Sequence, residues 1–239
     1  MPEIRARAFE RGRHPQMAAD NLLSQKQQAE LRGIAVAVEY EHEGTVIFSE
    51  GEDARFVYLV ADGVIRIGRT SDGGRRQILA FMLPGDLLGL PDAGSYVNSA
   101  DVACPSVLYR IPWAKLRDLM TREPSLQHNF LVKVAHDFRE AQRRIVMLGQ
   151  QNTYQRLASF LLDFIQHPAF FDKADRCLTL PLSRFDMADY LGTAPETVAR
   201  GFLRLERDAL VRRVTSRIVE IIDVDGLRRL QMRKRRAET

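Results

Sequence analysis

The sequence is poor in cysteine and histidine and has no long apolar run. Its 239 residues include two cysteines and five histidines, and none of them forms the closely spaced clusters that zinc or iron–sulfur sites use. The apolar runs are short, as at Phe160-Leu161-Leu162, whereas a helix that spans a bilayer needs about 20 apolar residues. The first residues lack the apolar segment of a secretory signal. We therefore expect no metal cofactor, no membrane contact and a cytoplasmic location.

Positive charge is concentrated toward the C-terminus. Residues 1–179 carry 22 Lys and Arg against 22 Asp and Glu, whereas residues 180–239 carry 13 against 9. The length suits two domains, and the composition, 45% hydrophobic and 28% charged, is that of a folded chain. A basic excess inside patterned sequence is typical of a surface that faces phosphates. Double-stranded DNA is therefore the leading partner.

Residues 36–122 alternate short apolar stretches with glycine-containing turns, after a helical or extended segment at 1–35. Many short strands without intervening helices favour a closed jelly-roll barrel. Asp62-Gly63 and Asp72-Gly73-Gly74 supply the left-handed positions that tight hairpins need. The predicted strands are Thr45–Phe48, Phe56–Ala61, Val64–Arg69, Arg76–Leu83, Val97–Ala103 and Val107–Ile111.

Residues 123–150 follow a helical period instead. One interpretation is that this long helix pairs with its copy in a homodimer, along a coiled-coil seam. The other is that it packs only on its own barrel, with Leu131 and Val132 serving the barrel face. Gly149 is expected to end the helix. The predicted seam residues are Phe130, Val134, Phe138, Ala141, Ile145 and Leu148.

Residues 151–239 predict a winged helix-turn-helix. A helix at Tyr154–Ile165 follows the N-cap candidates Asn152 and Thr153. Two capping boxes come next, one from Ser183 to Asp186 and one from Thr193 to Glu196, and each opens a helix, with Gly192 as the turn between them. The segments 210–214 and 218–222 alternate as a hairpin, the wing. The overall expectation is an α+β chain with barrel, long helix and winged helix-turn-helix.

The second helix of that pair carries the side chains most able to recognise bases. Glu196 and Arg200 are four positions apart and share one face. They form either an ordinary ion pair or a reading face, because arginine can donate twice to guanine and glutamate can accept from cytosine. Val198, Phe202 and Leu205 are expected in the core. Candidate contacts to the DNA backbone are Thr193, Thr197, Arg204, Arg212 and Arg217.

Four motifs in this order resemble the Crp/Fnr family of bacterial transcription regulators, and most closely its FNR-type branch that includes the FixK proteins. They are Asp72–Asp86, Met147–Gly149, Arg156–Leu162 and Asp186–Arg200. The resemblance implies a cyclic-nucleotide-binding-type barrel, a dimerisation helix and a winged helix-turn-helix that binds a TTGAT-like inverted repeat as a homodimer. It places base reading on Glu196, Ala199 and Arg200, where Ala199 stands in place of the usual serine.

The resemblance also suggests how the protein is controlled. The family's cyclic AMP sites use an arginine for the phosphate, whereas this chain has Gly85-Asp86 followed by Asn98-Ser99, and residues 1–35 hold no cysteine for an iron–sulfur cluster. These departures favour a FixK-like activator without a bound cofactor. They leave open a redox role for Cys177 near the DNA-binding domain, by oxidation of its thiol.

Three further points remain open from the sequence. The barrel could bind a small-molecule effector that gates DNA binding. It could be a cupin-type enzyme, but only His42 of the five histidines lies in the barrel region, so we expect no enzyme activity. The loop that contains Ser71, Asp72, Gly73 and Gly74 is either a simple hairpin turn or, by the resemblance, a contact to RNA polymerase.

Overall fold

A computed structural model describes residues 5–7, 25–70, 74 and 76–232. Its contacts divide the chain into two compact units, Met1–Asp137 and Phe138–Thr239. The boundary falls within one long helix. Among the described residues, no helix is long and apolar enough to cross a membrane.

The first unit is a β-barrel flanked by helices. The elements in order are β1 Arg5–Arg7, α1 Gln25–Ile34, β2 Val36–Tyr40, β3 Val46–Phe48, β4 Phe56–Asp62, β5 Ile65–Thr70, β6 Arg76–Met82, β7 Leu87–Leu88, β8 Ser99–Val102, β9 Ser106–Pro112, α2 Trp113–Arg122 and the start of α3 Pro124–Gln150. The strands form two antiparallel sheets, in the orders β1-β2-β9-β4-β7 and β3-β8-β5-β6.

Two apolar clusters stabilise this unit. One lies inside the barrel and includes three tyrosines and Phe48, whose ring stacks on Tyr96 at 3.9 Å between centroids. The other joins the five-stranded sheet to α1, α2 and the first turn of α3 through Leu31, Leu116 and Leu126. Burial of such side chains is the main source of folding free energy, at about 25 cal/mol per Å² of apolar surface.

All six predicted strands are present, and their ends agree with the prediction to within two residues. The prediction missed β2 and β7 and did not include α2, which follows the last barrel strand; the described residues between β2 and β9 include no helix, as expected. Gly63 and Gly74 have the positive φ angles that the hairpins require, +85° and +74°.

The second unit continues α3 and adds a helical core with a small sheet. Its elements are α4 Thr153–Ile165, β10 Phe171–Asp172, β11 Cys177–Thr179, α5 Arg184–Leu191, α6 Pro195–Arg207, β12 Val211–Arg213, β13 Ile218–Ile221 and α7 Val224–Met232. The sheet order is β10-β11-β13-β12, all antiparallel. The fully buried core side chains include Leu157, Phe160, Leu161, Leu178, Met187 and Phe202.

The helix ends in this unit differ slightly from the prediction. Gly149 lies inside α3, which ends at Gln150. Asn152 caps α4 as expected, since its side chain accepts from the Gln155 amide and Gln155 reaches back to the Asn152 amide. Thr153 is therefore the first helical residue and not the cap.

Candidate nucleic-acid interface

Helix α5 begins at the predicted capping box. The Ser183 hydroxyl accepts from the Asp186 amide at 3.0 Å, and the Asp186 carboxylate accepts from the Ser183 hydroxyl and amide at 2.7 and 3.2 Å. Asp186 is almost completely buried. Two helix donors are thus paired inside the protein, and the start of α5 is fixed.

The C-terminal end of α5 is held by two arginines from other helices. Arg156 of α4 donates to the main-chain oxygens of Leu191 at 2.8 Å and Leu148 at 2.7 Å. Arg144 of α3 donates to the Tyr190 oxygen at 2.7 Å and lies 3.7 Å over the Tyr190 ring. Cations at a helix C-terminus satisfy its unpaired carbonyls. The end of α5 is therefore tied to both α3 and α4.

The turn between α5 and α6 agrees with the prediction at Gly192 but not at the start of α6. Gly192 takes the left-handed conformation, with φ of +64°, and ends α5 as expected. The second capping box does not form: the N-cap of α6 is Ala194, without a side-chain cap bond, and Pro195 is at the first helical turn. Proline fits there because its missing N–H would be unpaired in any case. Thr193 therefore has no capping role.

Helix α6 has one buried face and one exposed face. Val198, Phe202 and Leu205 are completely buried, which confirms the predicted core positions. Glu196, Ala199 and Arg200, which we call the reading face, are all exposed to solvent. The helix thus packs by one side and offers the other to a partner.

Glu196 and Arg200 do not form the ion pair that was the alternative to base recognition. Within the described part of the chain, no basic group pairs with Glu196 and no carboxylate pairs with Arg200. Instead, Arg200 donates to the Thr197 hydroxyl at 3.0 Å, one turn back along the helix. Both charged ends therefore remain available for other donors and acceptors.

The wing carries three exposed arginines, two of which are paired. Arg212 donates to Glu220 across β12 and β13 at 2.7 Å. Arg213 donates to Glu206 at 2.8 Å, and this pairing lowers the pKa of the Glu206 carboxyl. Arg217 lies in the turn between the wing strands, and none of the described carboxylates forms an ion pair with it.

Arg204, another predicted backbone contact, lies on the protein surface. Its guanidinium is 4.4 Å above the Tyr154 ring and 4.0 Å from the Asp208 carboxylate. The Tyr154 hydroxyl donates to Asp208 at 2.7 Å. Burial and this carboxylate raise the pKa of Tyr154, so it remains protonated. Arg204 is 60% exposed and can still reach a phosphate.

Arg184 is a further residue of this region, and no sequence motif points to its contacts. Its guanidinium lies 3.9 Å over the Phe202 ring of α6 and donates to the Ser216 oxygen of the wing turn at 3.3 Å. One side chain of α5 thus contacts both α6 and the wing. Its position within the capping box gave no signal of these contacts.

The exposed surface of α3 includes an apolar stripe. Leu131, Val134, Phe138 and Ile145 are 66, 42, 63 and 71% exposed, and Ala141 between them is exposed as well. These five residues, called the α3 stripe, are spaced three and four apart. The spacing is that of one face of a coiled-coil helix.

Two predictions about this helix need correction. Leu131 and Val132, assigned to the barrel face, are exposed. Phe130, assigned to the seam, packs against the apolar cluster of the barrel. Four residues of the predicted seam are exposed as expected, and Leu131 takes the place of Phe130 at the start of their stripe, about 100° around the helix. Leu148, the last predicted seam residue, is half-buried.

The remaining candidates lie elsewhere. Cys177 is half-buried on β11, opposite Glu220 of β13. Ser71, Asp72 and Gly73 of the candidate polymerase loop lie outside the described residues, and Gly74 is exposed. Among the described residues, no group of three or more potential ligands could hold a metal ion.

Comparisons with known proteins agree with this architecture. The Crp-like helix-turn-helix domain family matches residues 155–230, and the cyclic nucleotide-binding domain family matches residues 39–123. The chain is 33% identical over 168 residues to the nitrogen fixation regulation protein FixK of Bradyrhizobium diazoefficiens, covering 70% of this chain and 71% of that one. It is 34% identical over 185 residues to FixK of Azorhizobium caulinodans, covering 77% and 75%.

A solved structure shows the same fold. The structure of FixK2 from Bradyrhizobium japonicum has a TM-score of 0.78 at 27% identity, and the match covers 84% of this chain and 98% of that one. The predicted arrangement of barrel, long helix and helix-turn-helix is confirmed, and the relatives are regulators and not enzymes. The chain belongs to the Crp/Fnr family of DNA-binding transcription regulators.

Proposed function

We propose that this protein is a transcription activator that binds a TTGAT-like inverted repeat as a homodimer. The observation that carries the proposal is the reading face, where a glutamate and an arginine one turn apart are both exposed and not paired with each other. Such a pair can accept from cytosine N4 and donate to guanine O6 and N7 in the major groove.

The two reading residues have different roles in this proposal. Arg200 recognises the guanine of the half-site, and its bond to Thr197 holds the guanidinium near the N-terminal part of α6, which enters the groove first. Glu196 accepts from the bases next to it. Ala199 offers only a methyl group, which suits contact with a thymine methyl.

The residues around the reading face supply contacts to phosphate. Thr193, Thr197, Arg204, Arg212 and Arg217 surround α6 on the turn, the helix and the wing. Such contacts fix the register of a protein on the duplex and carry no sequence information themselves. The charges of the three arginines add salt-dependent affinity for any DNA.

The homodimer forms through the α3 stripe. Exposed apolar residues at coiled-coil spacing bury one another when two copies of the helix pair. A twofold dimer presents two copies of α6 to half-sites about 34 Å apart, in successive major grooves. The symmetry of the protein then matches the symmetry of the inverted repeat.

Selection of duplexes from a random pool tests this function directly. We expect an enriched inverted repeat of two TTGAT-like half-sites about one helical turn apart, bound by two chains, as sedimentation would show. Enrichment of a single half-site bound by one chain would contradict the dimer. The absence of any preferred sequence would contradict the proposed recognition.

The proposal also assigns a role to a loop of the barrel. The loop at 70–74 contacts RNA polymerase, so substitutions there should reduce transcription in vitro while DNA binding is retained. A protein with this DNA target would act in the cytoplasm. An effector-gated barrel is less favoured, because Asn98 offers no charge for a phosphate and the Asp86 carboxylate already binds Lys133.

The Cys177 thiol is proposed as a redox-sensitive group. It lies on the strand that pairs with β13 of the wing sheet, six positions before the cap of α5. Oxidation by peroxide would add charge or bulk near the proposed DNA contacts and weaken binding. The Cys177→Ser variant should then be insensitive to peroxide. Equal sensitivity of both proteins, or of neither, would contradict this role.

A further inference from the structure

The side of α3 that packs on the barrel, which is distinct from the exposed α3 stripe, contains a lysine. Leu126 is completely buried, and Phe130 packs against the barrel cluster. The next positions at helical spacing are Lys133 and Asp137. The Lys133 side chain is only 22% exposed. An ammonium group therefore occupies a position where the period of the helix would favour an apolar side chain.

The ammonium joins the helix to a turn of the barrel. Lys133 Nζ donates to Asp86 Oδ1 at 2.9 Å and to Asp137 Oδ1 at 2.7 Å. Asp86 follows strand β6, whereas Asp137 lies one helical turn after Lys133. The lysine thus bridges a carboxylate of the barrel and a carboxylate of its own helix.

The barrel carboxylate is itself fixed. Asp86 Oδ2 accepts from the Leu83 amide at 2.9 Å. The Asp86 carbonyl accepts from the Val60 amide of β4, and the Val60 carbonyl accepts from the Gly85 amide, both at 2.9 Å. The turn cannot move without breaking its bonds to β4, so it is a rigid anchor for Lys133.

The Lys133 side chain stays protonated at neutral pH. Burial opposes the charge, but the carboxylates of Asp86 and Asp137 outweigh burial and raise the pKa of Lys133. A partly buried ion pair is costly to break on one side only, because the remaining charge loses its partner. Removal of either member should therefore weaken the attachment of α3 to the barrel at this point.

We propose that Lys133 is a positioning residue for DNA binding, which holds the N-terminal half of α3 on the β6–β7 turn and so fixes how the α3 stripe is presented to a second copy. This proposal rests on the proposed role of the stripe in the dimer. In this proposal the ion pair itself holds α3 on the β6–β7 turn, without a bound effector.

Chemical rescue separates positioning from simple loss of fold. The Lys133→Ala variant removes the aminopropyl part of the side chain, which free propylammonium can replace. We expect this variant to bind the inverted repeat at least tenfold more weakly and to regain much of its affinity with propylammonium chloride. Potassium chloride at equal ionic strength is the control, because salt alone weakens DNA binding.

Two further variants complete the test. Lys115→Ala removes an exposed lysine from α2 and should bind like the parent. Asp86→Asn keeps the oxygen that accepts from Leu83 but removes the charge. The double variant Lys133→Ala/Asp86→Asn should bind no worse than Lys133→Ala alone, because the two residues act through one ion pair.

The outcomes are separable from those of the proposed function. Parental binding by Lys133→Ala, or a loss that propylammonium does not reverse, would overturn the inference. Strictly additive losses in the double variant would do the same. Failure of the parent protein itself to bind the inverted repeat would instead overturn the proposed function.

Discussion

The exposed surfaces of α3 and α6 differ in chemistry. The α3 stripe is apolar, whereas the reading face of α6 is charged. On α3, Lys133 and Arg143 are paired with carboxylates, and the exposed surface includes the apolar α3 stripe, with Phe138 at its centre. On α6, the apolar residues are buried, and the exposed side carries Glu196 and Arg200 without an ion pair between them.

This difference indicates what each helix binds. An apolar stripe at coiled-coil spacing loses contact with water when it meets another apolar stripe, so α3 suits a second copy of itself. A charged face with unpaired donors and acceptors gains most from the edges of base pairs and from phosphates. One helix is therefore suited to assembly and the other to recognition.

The largest expected effect comes from placing a charge in the α3 stripe. Phe138→Glu puts two carboxylates face to face at the proposed dimer contact. We expect a monomer in sedimentation and a loss of about 100-fold or more in affinity for the inverted repeat, since the second half-site is no longer held.

The control for this substitution is His136→Glu. His136 is exposed on the same helix but points about 200° away from Phe138. It should leave the dimer intact. If both variants dimerise like the parent, the α3 stripe is not the dimer contact.

A smaller effect separates the paired from the unpaired arginines of the wing. Arg217→Ala should lower the slope of log affinity against log salt by about one, the value expected for one phosphate contact. Arg212→Ala should lower it by less, because Glu220 already neutralises part of that charge. Both should weaken binding to all sequences alike. A greater change of slope for Arg212 than for Arg217 would contradict this account.

The smallest effect compares the two predicted capping boxes. Ser183→Ala removes a cap that is formed and should lower the free energy of unfolding by about 1 kcal/mol, as measured in urea. Thr193→Ala removes no cap and should change stability by less than about 0.5 kcal/mol. Equal losses for the two variants would show that Thr193 stabilises the helix by some other contact.

Much of this fold follows from local sequence signals. The turns at Gly63 and Gly192 need left-handed backbone, which glycine provides at low cost, so the elements on either side were predicted well. The buried residues of α6, such as Phe202, follow from helical spacing. The family resemblance supplied the choice of the reading face.

Other features depend on contacts between distant residues. Lys133 was not predicted to face the barrel, because its partner Asp86 is 47 positions away in the chain. The contacts of Arg184 with α6 and the wing are similarly remote in sequence. The capping box at Thr193 was wrong because Pro195 starts the helix one residue later than the motif suggests.

The central claim is that Arg200 reads a base, and affinity across single-base variants of the half-site tests it most directly. Arg200→Ala should cost about 1–3 kcal/mol on the preferred site and remove discrimination at one base pair, whereas Arg217→Ala should keep the full pattern of preferences. If Arg200→Ala discriminates between all four bases at every position as the parent does, Arg200 does not recognise a base.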